Sequence, residues 1–188
     1  AAQNQFPEKA LRDAGYVAAW VGERSWNGVA ILARKAEPVV IRTRLPGDPR
    51  DVQARYLEAA VRGVVIACVY APNGNPQPGP KFDYKLAWLA RLRRHTAALL
   101  KTGAPVVIAG DFNVAPTALD IYPTRSWDKD ALVQPESRAA YGRLCQLLTR
   151  GKRGDEAKAF SSEVETGSRQ ENASNQESGA PFRFHRDG

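Results

Sequence analysis

The sequence predicts an α/β fold in which a mixed, largely antiparallel sheet is covered by helices. Three observations predict it. Short apolar or β-branched runs recur along the chain, amphipathic helical stretches lie between them, and one succession reads strand, loop, long helix, strand. At 188 residues the chain is long enough for one domain with a real core and too short for two comfortable ones.

The elements can be justified in order. "EKALRDAGY" spaces Ala10, Leu11 and Ala14 as a helix does, with Gly15 as its C-terminal stop. "VGERSWNGVAILAR" turns at Asn27-Gly28 and enters a β-branched run, Val29 to Leu32. "PVVIRTRL" alternates through Val39, Ile41 and Thr43, as a half-exposed strand should. "ARYLEAAV" and "GVVIACVYAP" form a hairpin around Arg62-Gly63, and the second strand, Val64 to Tyr70, is apolar enough to be central. After the proline-rich loop "APNGNPQPGP", apolar residues at Phe82, Leu86, Leu89, Leu92 and Leu99 mark an amphipathic helix of about six turns. Gly103 ends that helix, Val106 to Ala109 reads as the next buried strand, and "SRAAYGRLCQLLTR" supports one more helix.

Composition narrows the function. Lys and Arg number 27 against 20 Asp and Glu, a net charge of +7 that favours a polyanionic partner. The excess belongs to residues 1–150, which carry 21 basic and 13 acidic side chains, whereas residues 151–188 carry 6 and 7. That last segment has only Phe160, Val164, Phe182 and Phe184 as large apolar residues, too few to offset its ordering entropy, so it reads as a disordered tail. No apolar run approaches the roughly 20 residues of a membrane helix and no signal peptide is evident, so the expected location is the cytoplasm. Cys68 and Cys145 indicate neither a disulfide framework nor a thiolate metal site.

The stretch that carries chemistry is "VVIAGDFNVAP". An apolar strand stops at a glycine and delivers Asp111 and Asn113, two residues apart and able to face one side if the chain stays extended. A carboxylate there can orient or deprotonate water, and an amide can hold a phosphate oxygen. The alternative is an ordinary turn, since Gly, Asp and Asn are turn residues. "VYAPNGNP" is a second strand end with polar groups: Tyr70 and Asn73 can both donate to a phosphate, although "PNG" is also a turn signature.

Together, "SWNGVAIL", "ARYLEA", "VYAPNGNP", "KFDYKLAWL", "GDFNVAPT" and "YPTRSWDKDALVQPESRAAYGRL" resemble the middle of the exonuclease III (AP endonuclease) family of the endonuclease/exonuclease/phosphatase superfamily, over residues from about 3 to 146. The resemblance implies a four-layer α-β-β-α sandwich and a DNA repair phosphodiesterase. Its substrates would be abasic sites and 3′ ends of duplex DNA, its cofactor Mg²⁺ with Mn²⁺ as substitute, and its working form a monomer. By motif, Tyr70 and Asn73 would contact the backbone phosphate, Asp111 would orient or activate the attacking water, and Asn113 would assist. Asp111 is the one metal-ligand candidate. Arg55 and Lys81 would face DNA.

Departures from the family pattern shape the expectation. The opening asparagine strand, the principal metal-binding glutamate, and the closing Asp-His and Ser-Asp-His segments find no counterpart in the sequence. Neither His95, inside the long helix, nor His185 is a candidate catalytic histidine. Residues 1–150 are thus expected to form an incomplete domain, with 151–188 a polar or frameshift-derived tail. Two alternatives follow: an inactive DNA-binding remnant, or a phosphoinositide or phospholipid phosphoesterase of the same superfamily.

Overall fold

The computed structural model describes residues 3–24, 27–122 and 127–150. The polar segment 151–188, with His185, lies outside the described residues. The elements run α1 (Glu8–Asp13), β1 (Tyr16–Gly22), β2 (Gly28–Arg34), β3 (Val39–Arg42), β4 (Tyr56–Val61), β5 (Val64–Tyr70), α2 (Pro80–Leu100), β6 (Val106–Asp111) and α3 (Pro135–Arg150). Short 3-10 turns occupy Gln3–Gln5 and Ala118–Asp120.

Two sheets form. β1 and β2 make an antiparallel ribbon, and β3-β4-β5-β6 make a four-stranded sheet that is antiparallel except where β6 runs parallel to β5. The strand, helix, strand succession of the sequence is therefore a true β5-α2-β6 crossover. β1 was not expected from the sequence. It pairs along its whole length with β2, and its Trp20 stacks on Phe6 with ring centroids 4.4 Å apart.

The period of two along β4 divides its side chains between two cores. Leu57 and Ala59 face Ala19, Val29 and Ile31 of the ribbon. Tyr56 faces the other way, with Ala67 and Val69 of β5, to meet Trp88, Leu89 and Leu92 of α2 and Ala140 and Leu144 of α3. The layers are thus ribbon, sheet and helices, a mixed sandwich of the expected class.

Two strands depart from expectation. β6 is not a buried strand: Ile108 packs on the helix side, but Val107 is 47% exposed and Ala109 is exposed too. The reason is coverage. β6 has one strand neighbour among the described residues, and the ribbon's core reaches β4 and β5 only. β3 likewise exposes all four of its residues rather than alternate ones, and its pairing with β4 shifts register between Val40 and Arg42.

One buried charge ties α2 to the sheet. Glu58 is 1% exposed, and its Oε2 accepts from the Tyr56 hydroxyl and meets His95 Nε2, each at 2.6 Å. Arg42 lies 3.7 Å from Oε1. Burial alone would raise the carboxyl's pKa, but the hydrogen bonds from His95 and Tyr56 outweigh it and leave the group below its usual 4.5. A depressed folded-state pKa contributes stability above the unfolded value and loses it as pH falls through the folded one. Glu58→Gln should therefore lower the melting temperature at pH 7, with the gap to wild type closing in melts as pH falls below 4.5. A gap that stays constant through acid melts would remove Glu58's ionisation from the stability of the fold.

Candidate active site

The site grows from the register of two strands. Tyr70 and Asp111 are cross-strand partners at the ends of β5 and β6, and the ladder continues one step further as Ala71 N–H donates to the Asp111 carbonyl at 2.8 Å. Gly110 makes the approach possible. Its φ is +137°, and a Cβ there would stand 2.0 Å from the Val69 carbonyl oxygen of β5.

Beyond Asp111 the chain turns rather than staying extended. Asn113 has φ +50°, and its backbone N–H donates to Asp111 Oδ1 at 2.8 Å, a side-chain-closed Asx turn. The Asn113 amide nitrogen also donates to Asp111 Oδ2 at 3.3 Å and to the Ala71 carbonyl at 2.8 Å. The turn brings the Asn113 amide back onto the Asp111 carboxylate. The second loop is built the same way: Asn75 N–H donates to Asn73 Oδ1 at 3.1 Å, while Asn73 Nδ2 reaches Asn113 Oδ1 at 3.4 Å. Asp111, Asn113 and Asn73 thus form one hydrogen-bonded cluster across two loops.

Arg55 is engaged by Tyr70 and Gln53. Its guanidinium lies 4.9 Å from the centroid of the Tyr70 ring, Nη1 donates to the Tyr70 carbonyl at 3.3 Å, and Nε donates to Gln53 at 2.6 Å. These contacts set the guanidinium against the Tyr70 ring. Lys81 is exposed in the first turn of α2. His95 is engaged by Glu58, as described above.

Sequence reasoning gave Lys85 no role. It is completely buried, and its ammonium donates to the backbone carbonyls of Asn73 at 3.0 Å, of Ala131 at 3.3 Å, and of Asn113. A signal was present: Phe82, Lys85, Leu89, Leu92, Thr96 and Leu99 trace the buried stripe of α2, and a lysine on such a stripe needs a partner. Burial lowers its pKa to about 8, against the opposing pull of Asp130 and Asp111.

The divalent cation implied by the resemblance does not fit the described residues by themselves. They hold no group of three or more His, Cys, Asp or Glu side chains able to bind a metal. Asp111 brings a single carboxylate, and both its oxygens already accept from Asn113.

Fold and site together define a layered α/β sandwich that presents one carboxylate and several oxyanion donors at adjacent strand ends. The family model described as "Endonuclease/Exonuclease/phosphatase family" matches residues 1–181, and the chain belongs to that family, within its exonuclease III group. It is 30% identical over 154 residues to exodeoxyribonuclease III from Haemophilus influenzae, covering 76% of this chain and 57% of that protein. It also resembles an AP endonuclease from Archaeoglobus fulgidus, with TM-score 0.71, 28% identity, and 78% and 56% of the two chains covered. A third likeness is to the 3′ phosphatase NExo from Neisseria bound to a product DNA hairpin, with TM-score 0.71, 33% identity, and 78% and 57% covered. The chain therefore spans just over half the length of these relatives.

The strand register supports a direct test. Gly110→Ala should cost about 1–3 kcal/mol in chemical denaturation, from backbone strain and the clash with β5. Wild-type stability in that variant would mean that the β5-β6 approach is looser than described.

Proposed function

We propose that the chain acts in DNA repair as an exonuclease III-type phosphodiesterase, incising duplex DNA at abasic sites and removing nucleotides from 3′ ends. The observation that carries this reading is the Asp111-Asn113-Asn73 cluster beside Tyr70 at the paired ends of β5 and β6. The net charge of +7 and relatives described as an AP endonuclease and a DNA-bound 3′ phosphatase support DNA as the polyanion. Among the described residues no helix is long and apolar enough to cross a membrane. The reading includes a cytoplasmic monomer.

Each group has a role that suits its chemistry. The Asp111 carboxylate, oriented by the Asn113 backbone N–H, would position and deprotonate the attacking water. The hydroxyl of Tyr70 and the amide of Asn73 would donate to phosphate oxygens as negative charge builds in the transition state, with Asn113 assisting by holding the Asp111 carboxylate beside the same phosphate. Arg55, already against Tyr70, and the exposed Lys81 would contribute positive charge toward the DNA backbone. Mg²⁺, with Mn²⁺ as substitute, is the cofactor in this reading.

The test is incision of a labelled duplex with one abasic site, in Mg²⁺ and in chelator. Asp111→Asn should cut turnover by roughly 10² or more. Tyr70→Phe should lose about 1–3 kcal/mol of transition-state stabilisation, read from kcat/KM. Duplex binding that weakens steeply with salt, with no cutting by the wild-type chain, would replace this reading with a DNA-binding one.

A further inference from the structure

We infer that Lys85 is a positioning residue for the phosphate site, holding the Asn73 and Asn113 loops at a fixed separation through one buried ammonium. The inference rests on the nuclease reading of those two asparagines and goes beyond it, because Lys85 itself reaches no substrate.

The geometry is specific. An ammonium has three hydrogens, and Lys85 has three carbonyl acceptors on three loops. Two of those carbonyls belong to Asn73 and Asn113 themselves, the residues whose amide side chains meet on the other side at 3.4 Å. Each asparagine is thus held by its backbone carbonyl while its side chain stays in the cluster with Asp111. The third acceptor, Ala131, is braced to the same assembly: its N–H donates to Asn75 Oδ1 at 2.9 Å, and its carbonyl also accepts from Ser137 Oγ at 2.6 Å.

Packing gives the stem as little freedom as the head. Gly74, with φ +93°, lies so close that a Cβ there would be 2.7 Å from Lys85 Cδ and 3.1 Å from Ala131 Cβ. A purely space-filling position on α2 would be served by leucine or methionine without the cost of removing a charge from water. With a pKa lowered only to about 8, the amine keeps its third proton at neutral pH, when all three acceptors need it.

The test compares Lys85→Met with Leu99→Ala, a substitution on the same helix outside the cluster. Lys85→Met should shift or broaden the side-chain amide signals of both Asn73 and Asn113 in nitrogen-15 NMR spectra. It should lower kcat on the abasic duplex at least tenfold with KM within about threefold. Leu99→Ala should lower the melting temperature yet leave both amide signals and kcat near wild type. Should Lys85→Met fail to fold, Gly74→Ala displaces the lysine stem with its charge retained and should still move the Asn113 amide signal. Unmoved Asn113 and Asn73 amides in a folded variant would overturn the inference, as would equal kcat losses in Lys85→Met and Leu99→Ala. If the wild-type chain cuts no DNA, the proposed function fails by its own assay while the amide signals still decide the role of Lys85.

Discussion

The site depends on one constraint, the parallel pairing of β5 with β6 in the register that sets Tyr70 opposite Asp111. A slip of one residue would turn Asp111 to the helix side and carry Asn113 away from Ala71. Gly110 and the Ala71-to-Asp111 hydrogen bond oppose that slip at the very end of the ladder, where strands ordinarily fray. The Asx turn then carries the same precision two residues further, so the amide of Asn113 inherits its position from the sheet rather than from a free loop.

The same pairing leaves one face of β6 open. Val107 and Ala109 share the side of Asp111 and are exposed with it, because the ribbon's core ends at β5. The exposure leaves the Asp111 carboxylate reachable from solvent. For Val107 it has no local compensation, and with Val39, Val40 and Ile41 on β3 it places apolar residues at both edges of the four-stranded sheet.

Periodicity made the helices and the β4-β5 hairpin legible, because one buried face repeats at 3.6 or 2 residues whatever lies against it. It did not make β1 legible, since Tyr16–Gly22 owes its pairing to β2 and its Trp20 to a stack with Phe6, both tertiary events. Burial of β6 was misread for a related reason: an apolar run records the side chains and not whether a second sheet covers them. Among site residues, Asp111, Asn113, Tyr70 and Asn73 were legible as polar groups at strand ends. Their hydrogen bonding to one another was not, because it follows from a positive φ at Asn113 and from a lysine 28 residues away in sequence.

Helix α2 explains why that lysine is where it is. Its buried stripe is not uniformly apolar: Lys85 reaches the site loops, Arg91 pairs with buried Asp51, and His95 meets Glu58 of β4. Apolar side chains such as Trp88, Leu89 and Leu92 supply most of the burial, but a greasy stripe on a sheet resists sliding or rotation only weakly. Three polar residues at successive heights, each matched to a partner on a different element, accept only one axial position and one rotation. The cost is desolvation, visible in the lowered pKa of Lys85 and in the buried Arg91 Nη1, which has no hydrogen-bond partner among the described residues. What that cost secures is the placement of the Asn73 and Asn113 carbonyls at the Lys85 ammonium, so the long helix acts as the frame against which those two loops are set.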